Sequence, residues 1–339
     1  MEGFSLKKLL VLVMVFALTL SFVGMAAAQS DSPLQGSMKD EYVMVTFVSG
    51  IEYWKPAYRG MEDAAANLGV STRYTGATDY DINQQVTVLE QVIAQQPAGI
   101  LLTAINPDAL VGPINRAMEA GIPVVTFDAD SPDSNRYSFL ATSNYEAGVK
   151  AANYLADLNN GKGNLGLITI PGQLNHEERA RGFQETIAND YPDMKVVSVQ
   201  DGQSDQAASA RAMGSMLQAN PDLVGVFTTE ASTGVGAATA VREGNMVDNI
   251  DIVSFDTDPG TLDFVKAGVI DATLAQGTWN MGYWGQMFLF HLKEGLLDPI
   301  ENGDWKEAGI NPLPDYVDTG VNLVTQENVE FYMANQIKN

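Results

Sequence analysis

Short apolar runs rich in Val, Ile, Phe and Thr recur along most of the chain, and segments of helical character separate them. Several runs are nearly continuous in apolar residues instead of alternating with polar ones, which is typical of strands buried on both faces of a sheet. A strand is therefore predicted in each of the segments 42–48, 71–75, 99–104, 123–128, 137–142, 164–170, 195–200, 224–229, 251–256 and 271–276.

The segments between these runs have the apolar spacing of amphipathic helices. One predicted helix begins at Asp108, after Asn106, and ends near 119–121 at a glycine. Repeated strand–helix–strand units predict an α/β fold with parallel sheets and right-handed crossovers. The clearest helical stripe, with i, i+4, i+7, i+11 spacing, consists of Ile82, Val86, Leu89 and Ile93.

The order of the predicted elements also repeats. Residues 41–142 hold about five strand–helix units and residues 143–276 about four or five more. Two similar doubly wound halves place the carboxyl ends of both sheets around one crevice, the usual ligand position in such sheets. No Pro-rich or Ser-rich linker separates the halves, so short crossings are expected. A length of 339 residues is also more than one hydrophobic core usually serves.

The first 28 residues predict a secretory signal peptide. Lys7 and Lys8 form a short basic region, residues 9–23 an apolar run, and residues 26–28 an alanine cleavage pattern. An uncleaved membrane anchor is the alternative, because the run is nearly long enough to span a bilayer. No apolar run of that length follows residue 28, so the mature protein is expected to be soluble.

Cysteine usage and net charge exclude several classes of function. The chain has no cysteine, which excludes disulfides, thiol chemistry, cysteine-ligated metals and a lipid-modified N-terminal cysteine. The exported protein is therefore expected to be free in the periplasm and not lipid-anchored. A formal charge of −23 argues against nucleic acid as a partner, because binding to phosphates needs Lys and Arg.

Motifs that resemble cofactor, metal or catalytic sites are incomplete. Gly234 and Gly236 follow a predicted strand, as in a dinucleotide-binding fingerprint, but Thr239 replaces the third glycine. His176 and His291 are far apart, and neither has a second histidine at i+4, so no metal centre is expected. The sequence also lacks a Gly-x-Ser-x-Gly nucleophile elbow. We therefore expect no cofactor, no metal and no catalytic residue.

Polar and aromatic side chains lie instead where the predicted strands end. Carboxylates and amides accept hydrogen bonds from hydroxyl groups, and aromatic rings cover the C–H faces of sugar rings. The pattern favours a small polyhydroxylated ligand. The polar residues are Thr103, Asp128, Glu230, Asp256 and Gln276, and the aromatic residues are Tyr53, Trp54 and Trp279.

The sequence resembles the periplasmic sugar-binding proteins of ABC importers, the group that contains ribose-binding protein. The resemblance covers residues 42–325 and rests on segments such as "GILLTAINPDAL", "AGIPVVTFDAD", "NHEERARGF" and "IVSFDTDPG". It implies the type I periplasmic binding protein fold, in which a three-segment hinge joins two similar doubly wound parallel-sheet lobes. The implied hinge crossings lie near 142–144, 276–278 and 317–321. The implied N-terminal lobe is 41–142 plus 277–317, and the C-terminal lobe is 143–276 plus 318–339.

Carried over by position, the resemblance also implies a set of ligand-binding residues. The stacking aromatics of the family fall on Tyr53 and Trp54, and Trp279 follows the last strand. The remaining candidates are Thr103, Asp128 and Thr142 in the first lobe, and Asn175, Glu177, Arg179, Glu230, Asp256 and Gln276 in the second lobe and hinge.

Three of these positions depart from ribose-binding protein. Ala129 and Glu177 stand where it has arginines, and Glu230 stands where it has asparagine. The expected pocket is therefore acidic, and buried carboxylates need hydrogen bonds or ion pairs. Such a pocket fits a donor-rich sugar or polyol, or a cationic ligand such as an amino sugar. Glu177 could instead pair with Arg179 or point to solvent, and a structural role for Arg179 stays open because it matches the family's R-x-x-G-F pattern.

The resemblance implies the soluble periplasmic substrate-binding component of an ABC transporter, which is not an enzyme. Its lobes would close on a monosaccharide or polyol by hinge bending, and a permease in the inner membrane would recognise the closed form. A same-fold receptor for an amino sugar or small signalling molecule, used in chemotaxis or quorum sensing, is one alternative, with a chemoreceptor as partner. An exported carbohydrate-active enzyme is another, and it would need two carboxylates that flank a bond in an open groove.

Overall fold

Twelve strands and ten helices alternate through residues 34–300 and 304–334, the parts of the chain that the computed structural model describes. Residues 37–339 form one compact unit, and a separate unit, residues 1–36, precedes it. Of that first unit only residues 34–36 are described, so the predicted signal peptide lies outside the described residues. The two sheets and all the helices discussed below belong to the second unit.

The first sheet has six strands in the order β11-β5-β4-β3-β1-β2, and every neighbouring pair in it is parallel. We call the part of the molecule built on it the first lobe. Its elements are β1 (Glu41–Thr46), α1 (Trp54–Leu68), β2 (Ser71–Gly76), α2 (Ile82–Ala94), β3 (Gly99–Leu102), α3 (Pro107–Glu119), β4 (Val124–Phe127) and β5 (Phe139–Ala141), with α9 (Thr278–Lys293) and β11 (Tyr316–Asp318) from the later chain.

The second sheet has the order β12-β10-β9-β8-β6-β7, and β12 is antiparallel to β10 while the other pairs are parallel. The part built on it is the second lobe. Its elements are α4 (Asn144–Leu158), β6 (Lys162–Thr169), α5 (Leu174–Asp190), β7 (Asp193–Asp201), α6 (Gln206–Ala219), β8 (Leu223–Thr228), α7 (Ala231–Glu243), β9 (Asp251–Phe255), α8 (Pro259–Lys266), β10 (Ala272–Gln276), β12 (Val321–Val324) and α10 (Val329–Ala334).

The apolar runs of the sequence form the centres of both sheets. Every residue of β3 and β4 is buried, as near-continuous apolar composition predicted. In α2 the predicted stripe buries Leu89 and Ile93, whereas Ile82 in the first turn is exposed. Helix α3 begins one residue before the predicted start, because the Asn106 side chain caps it by accepting the backbone N–H of Ala109 at 2.9 Å. The prediction of two doubly wound parallel-sheet lobes is confirmed.

A pair of glycines lets two helices meet closely in the first lobe. A β-carbon on Gly282 of α9 would overlap the carbonyl oxygen of Ala57 in α1, and one on Gly60 of α1 would overlap the carbonyl oxygen of Trp279. The second lobe repeats this contact between α4 and α5, through Gly148 and Gly182. Each lobe therefore carries one tight helix pair next to the chain crossings.

The chain passes between the lobes three times, and the crossings are hydrogen-bonded to one another. The Thr319 N–H donates to the carbonyl of Ala141 at 2.9 Å, and the Gly277 N–H donates to the carbonyl of Gly320 at 3.2 Å. The Ser143 N–H also donates to Asp318 Oδ1 at 3.0 Å. These segments form the predicted three-segment hinge, while the residue-level lobe boundaries given above stay a prediction. None of the helices in the described ranges is both long enough and apolar enough to cross a membrane.

Candidate ligand-binding site

A cavity of about 310 Å³ lies between the lobes, where the strands of both sheets end. We call it the central cavity. The first lobe contributes Tyr53, Trp54 and Asp128 to its lining, and the second lobe contributes groups from α5, the start of α7 and the segment after β9. A ligand in this cavity would touch both lobes at once, as expected at the carboxyl ends of parallel strands.

Two aspartates occupy corresponding places in this cavity. Asp128 follows β4 and Asp256 follows β9, and both have positive φ angles, 62° and 68°. Aspartate is among the few non-glycine residues that adopt this left-handed conformation readily. Tyr53 Oη donates to Asp128 Oδ1 at 2.6 Å, and Gln276 Nε2 donates to Asp256 Oδ1 at 2.8 Å. Each carboxylate is therefore held in place by a neighbour that also lines the cavity.

Arg179 supplies the positive charge of the central cavity. Its side chain comes from α5 and is buried, with Nε donating to Asn144 Oδ1 and Nη1 donating to the carbonyl of Thr229, both at 2.8 Å. Its guanidinium carbon lies 3.7 Å from the centre of the Phe255 ring. Among the described residues that line the cavity it is the one arginine or lysine. It both anchors α5 and faces the ligand space.

Several carboxyl groups around the cavity hold protons more tightly than usual. Burial raises the pKa of Asp128 to about 6, although the hydrogen bond from Tyr53 and the charge of Arg179 oppose that rise. Burial and then the charge of Asp256 raise the pKa values of Glu230 and Asp258, each to about 7. Burial also raises the pKa of Asp256, and Arg179 is the largest influence in the other direction. Burial is the largest cause of the raised pKa in each of these four carboxyl groups.

Glu230 has an oxygen that the described protein leaves unpaired. Its Oε2 accepts a hydrogen bond from Ser204 Oγ at 3.3 Å, but its buried Oε1 has no partner among the described residues. A buried acceptor without a donor is unfavourable by about 1–3 kcal/mol. A ligand hydroxyl that donates to Oε1 would remove this penalty.

The aromatic side chains form the first-lobe wall of the cavity. Trp54 is almost fully buried, donates through Nε1 to the carbonyl of Val48 at 2.8 Å, and packs edge-on against Phe47 and Phe127. Phe47 in turn packs against Tyr80 with ring centres 5.4 Å apart. Trp54 therefore belongs to the core as much as to the lining, and Tyr53 presents the hydroxyl at this wall.

A tyrosine from a loop of the first lobe also lines the central cavity. Tyr80, in the loop after β2 of the first lobe, lines this cavity together with Gln173 of the second lobe. Burial, together with the charges of Glu230 and Asp128, raises the pKa of Tyr80 to about 12. Its hydroxyl is therefore neutral at ordinary pH and can donate.

The structure brings eight of the twelve predicted site residues to the central cavity and places four elsewhere. Thr103 is fully buried, and its Oγ1 has no partner among the described residues. Thr142 lies at a hinge crossing and lines a side cavity of about 240 Å³. Trp279 lines another cavity, treated below. The eight that line the central cavity are Tyr53, Trp54, Asp128, Asn175, Arg179, Glu230, Asp256 and Gln276.

Glu177 is the fourth residue outside the cavity. Its Oε1 accepts the backbone N–H of Gly172 at 2.9 Å, and its side chain lines a shallow depression beside Arg181. The cause is the phase of α5: Asn175, His176 and Arg179 fall on one face at about 100° per residue, which puts Glu177 on the opposite face. The expectation that Glu177 lines the cavity is therefore wrong. The observed acidic lining contains Asp258 instead.

Sequence reasoning also missed residues that do line the cavity. His176 is buried, its Nδ1 lies 3.0 Å from Thr229 Oγ1, and burial lowers its pKa well below the usual value. The imidazole is therefore neutral. Asp258 could have been found, because the "FDTD" that contains it repeats the "FDAD" after β4. Tyr80 and Ser204 lie in loops that show no pattern. In the ranges 34–300 and 304–334, no group of three or more His, Asp and Glu side chains is arranged to hold a metal ion.

Comparison with known proteins agrees with this architecture. Residues 42–296 match the family described as the periplasmic binding protein domain. The chain belongs to the periplasmic binding protein family. The predicted resemblance is thereby confirmed, and so is the expectation that the protein is a binding protein and not an enzyme, because this is a family of substrate-binding receptors.

Two solved structures and one curated relative illustrate the similarity. The sugar-binding protein of a sugar ABC transporter from Bacillus halodurans is 50% identical, with a TM-score of 0.83 over 86% of this chain and 100% of that chain. AraP, an arabinose binding protein from Geobacillus stearothermophilus, is 54% identical, with a TM-score of 0.80 over 86% and 99%. The xylose/arabinose-binding protein XylF of Sulfolobus acidocaldarius is 25% identical over 86% of this chain and 72% of its own length.

Proposed function

We propose that the protein is the exported substrate-binding component of a sugar ABC importer. It holds a monosaccharide in the central cavity and presents it to a membrane permease. The observation that carries this proposal is the meeting of carboxylates from both lobes, Asp128 and Asp256, in one cavity where Glu230 Oε1 has no partner among the described residues. The names of the three relatives, all sugar or pentose binding proteins, support the same substrate class.

A neutral sugar fits the electrostatics better than a cationic one. Arg179 already supplies a positive charge, and the raised pKa values of Glu230 and Asp258 keep part of the acid groups protonated near neutral pH. Hydroxyl groups can then donate to the remaining carboxylates without bringing a charge of their own. An amino sugar stays an outcome of the binding test below.

Ligand binding and lobe closure are coupled in this mechanism. Closure places carboxylates of both lobes in one buried space, which is unfavourable while they lack donors. A sugar can donate hydroxyl groups to Asp128 on one side and to Asp256 and Glu230 on the other. It reaches the carboxylates of both lobes only in the closed form. Differential affinity for that form then shifts the population, and bending at the crossings around Ala141, Gly277 and Gly320 connects the two states.

The cellular setting belongs to the same proposal. The permease would recognise the closed arrangement of the two lobes. A chemoreceptor is a further candidate partner. Export through the predicted signal peptide would place the protein free in the periplasm, without a lipid anchor.

Thermal-shift and calorimetric titration of the mature protein test the proposal. The panel contains L-arabinose, D-xylose, D-ribose, D-glucose, D-glucosamine and a mixture of amino acids. At least one neutral sugar should raise the melting temperature by mass action. The substitutions Asp128→Asn and Asp256→Asn should each lower the affinity for that sugar at least tenfold. Asp133→Asn is the control, because Asp133 is exposed and does not line the cavity. Binding of amino acids alone, or hydrolysis of a glycoside, would contradict the proposal.

A further inference from the structure

A second and larger cavity adjoins the central one on the side of α9. Its volume is about 390 Å³, and we call it the outer cavity. Four residues line both cavities: Tyr53, Asp256, Asp258 and Gln276. The outer cavity adds the aromatic rings of Trp279 and Tyr332 and the apolar ring of Pro259, beside the charged side chains of Glu52, Lys55 and Arg59.

We infer that the outer cavity is a subsite for a second sugar ring, so that the protein binds a disaccharide across the two cavities. This inference rests on the proposed function, because the first ring would occupy the central cavity. The shared carboxylates of Asp256 and Asp258 lie where both rings could donate to them. Trp279 thus provides an aromatic surface at the outer end of the combined lining.

Trp279 is held in the manner of a rigid platform. Its ring stacks on Tyr283 with centres 4.7 Å apart and planes at 19°. Its Nε1 donates to Asp63 Oδ2 at 3.0 Å, and Asp63 is itself held by Arg59 at 2.9 Å. The ring nevertheless stays 38% exposed. A ring whose orientation is fixed by stacking and by a hydrogen bond loses little entropy when a sugar C–H face packs on it.

The equivalent position in the second lobe does not offer such a platform. Tyr145 lines the smaller side cavity, and its hydroxyl donates to Glu185 at 2.9 Å, much as Trp279 donates to Asp63. However, the guanidinium carbon of Arg181 lies 4.4 Å from the centre of the Tyr145 ring. A cation therefore already covers that ring, and the side of the cleft with Trp279 is the better place for a second sugar.

Paired calorimetric titrations test the inference on the full mature protein. The probes are L-arabinose with α-1,5-arabinobiose, D-xylose with xylobiose, and D-glucose with maltose. At least one disaccharide should bind. Trp279→Ala should lower the affinity for that disaccharide at least tenfold, while the affinity for the monosaccharide changes less than twofold. Trp279→Leu, which keeps an apolar side chain, should give the same result. Unchanged monosaccharide binding also shows that both variants are folded.

Trp284→Ala is the matched control. Trp284 lies on the same helix and is also exposed, but it does not line the outer cavity, so this variant should leave all affinities unchanged. Monosaccharide binding without any disaccharide binding would overturn the inference and leave the proposed function intact. If no sugar in the set binds, both the inference and the proposed function are wrong. Disaccharide binding that survives Trp279→Ala, or that Tyr145→Ala abolishes, would overturn the assignment to the outer cavity.

Discussion

Asp128 and Asp256 occupy equivalent positions in the two lobes. Each follows a phenylalanine at the end of a central strand and has a left-handed backbone conformation. Each donates its N–H to the next strand, Asp128 to the carbonyl of Leu140 at 3.0 Å and Asp256 to the carbonyl of Leu274 at 2.8 Å. The negative charge of Asp256 contributes to the raised pKa of Asp128. The central cavity therefore contains a repulsion between carboxylates that a hydrogen-bond donor can relieve.

The stability of the ligand-free protein should depend on the ionisation of Asp258. Burial, Asp256 and Glu52 raise its pKa from 3.8 to about 7. The folded state therefore binds this proton more tightly than the unfolded state. The stability that this proton contributes is fully present below pH 3.8 and is lost as the pH rises through about 7. Asp258→Asn removes this dependence. Relative to the native protein, the variant should gain roughly 2 °C or more in melting temperature between pH 5 and pH 8.

Differential scanning calorimetry of both proteins at pH 5, 6, 7 and 8 measures that difference. The comparison between the two proteins matters, because other acid groups change the stability of each in parallel. A constant difference in melting temperature across this range would show that the Asp258 carboxyl ionises alike in the folded and unfolded states.

Replacing Arg179 should destabilise the protein far more than replacing Arg181 two residues later. Arg179 is buried beside Asp128 and Asp256, so Arg179→Met leaves buried carboxylates without compensation and should lower the free energy of unfolding by about 3–5 kcal/mol. Arg181 is half-exposed and pairs with Glu178 and Glu185, so Arg181→Met should change it by about 1 kcal/mol or less.

Urea denaturation at pH 7.5 measures both free energies. The loss caused by Arg179→Met should shrink at pH 5.5, because Asp128 and its neighbours then carry protons. Equal losses in the two variants, or a larger loss at the lower pH, would mean that Arg179 does not compensate the carboxylates of the cavity.

The apolar pattern of the sequence predicted the fold well because it reports burial directly. Each predicted strand range overlaps an observed strand, and fully buried strands such as β3 and β4 carry the strongest pattern. The strands β11 and β12 were not predicted. Each has only three or four residues, and each includes exposed positions, so neither shows a continuous apolar run. Their place in the sheets depends on the hinge, which the local sequence does not show.

The site was harder to predict than the fold, because side-chain direction depends on where a helix begins. Strand ends located Asp128, Asp256 and Gln276, since the carboxyl ends of parallel strands meet at one edge. Glu177 was misplaced because one residue of helical phase decides which face it occupies. The sequence did not decide the role of Arg179, because its hydrogen-bond partners Asn144 and Thr229 are 35 and 50 residues away in sequence.

The helix contact in the first lobe should make Gly282 irreplaceable. A β-carbon there would overlap the carbonyl oxygen of Ala57, so Gly282→Ala must separate α9 from α1 and should cost about 1–3 kcal/mol. Gly214 is the matched control, because it lies inside α6 with nothing within 4 Å of an added β-carbon. Gly214→Ala should raise the free energy of unfolding by about 0.5–1 kcal/mol. Urea denaturation checks both, and a neutral Gly282→Ala would refute the close approach.

Glu230→Gln should weaken sugar binding, whereas Glu177→Gln should leave it almost unchanged. Glu230 has an unpaired buried oxygen in the central cavity, and an amide keeps its size but removes the charge that strengthens a hydrogen bond from a ligand hydroxyl. Its sugar affinity should fall about tenfold or more. Glu177 accepts from Gly172 on the far face of α5, so Glu177→Gln should change affinity less than about twofold. Calorimetric titration with the sugar found in the panel decides between them. A strong effect of Glu177→Gln with none from Glu230→Gln would mean that α5 presents its other face to the ligand.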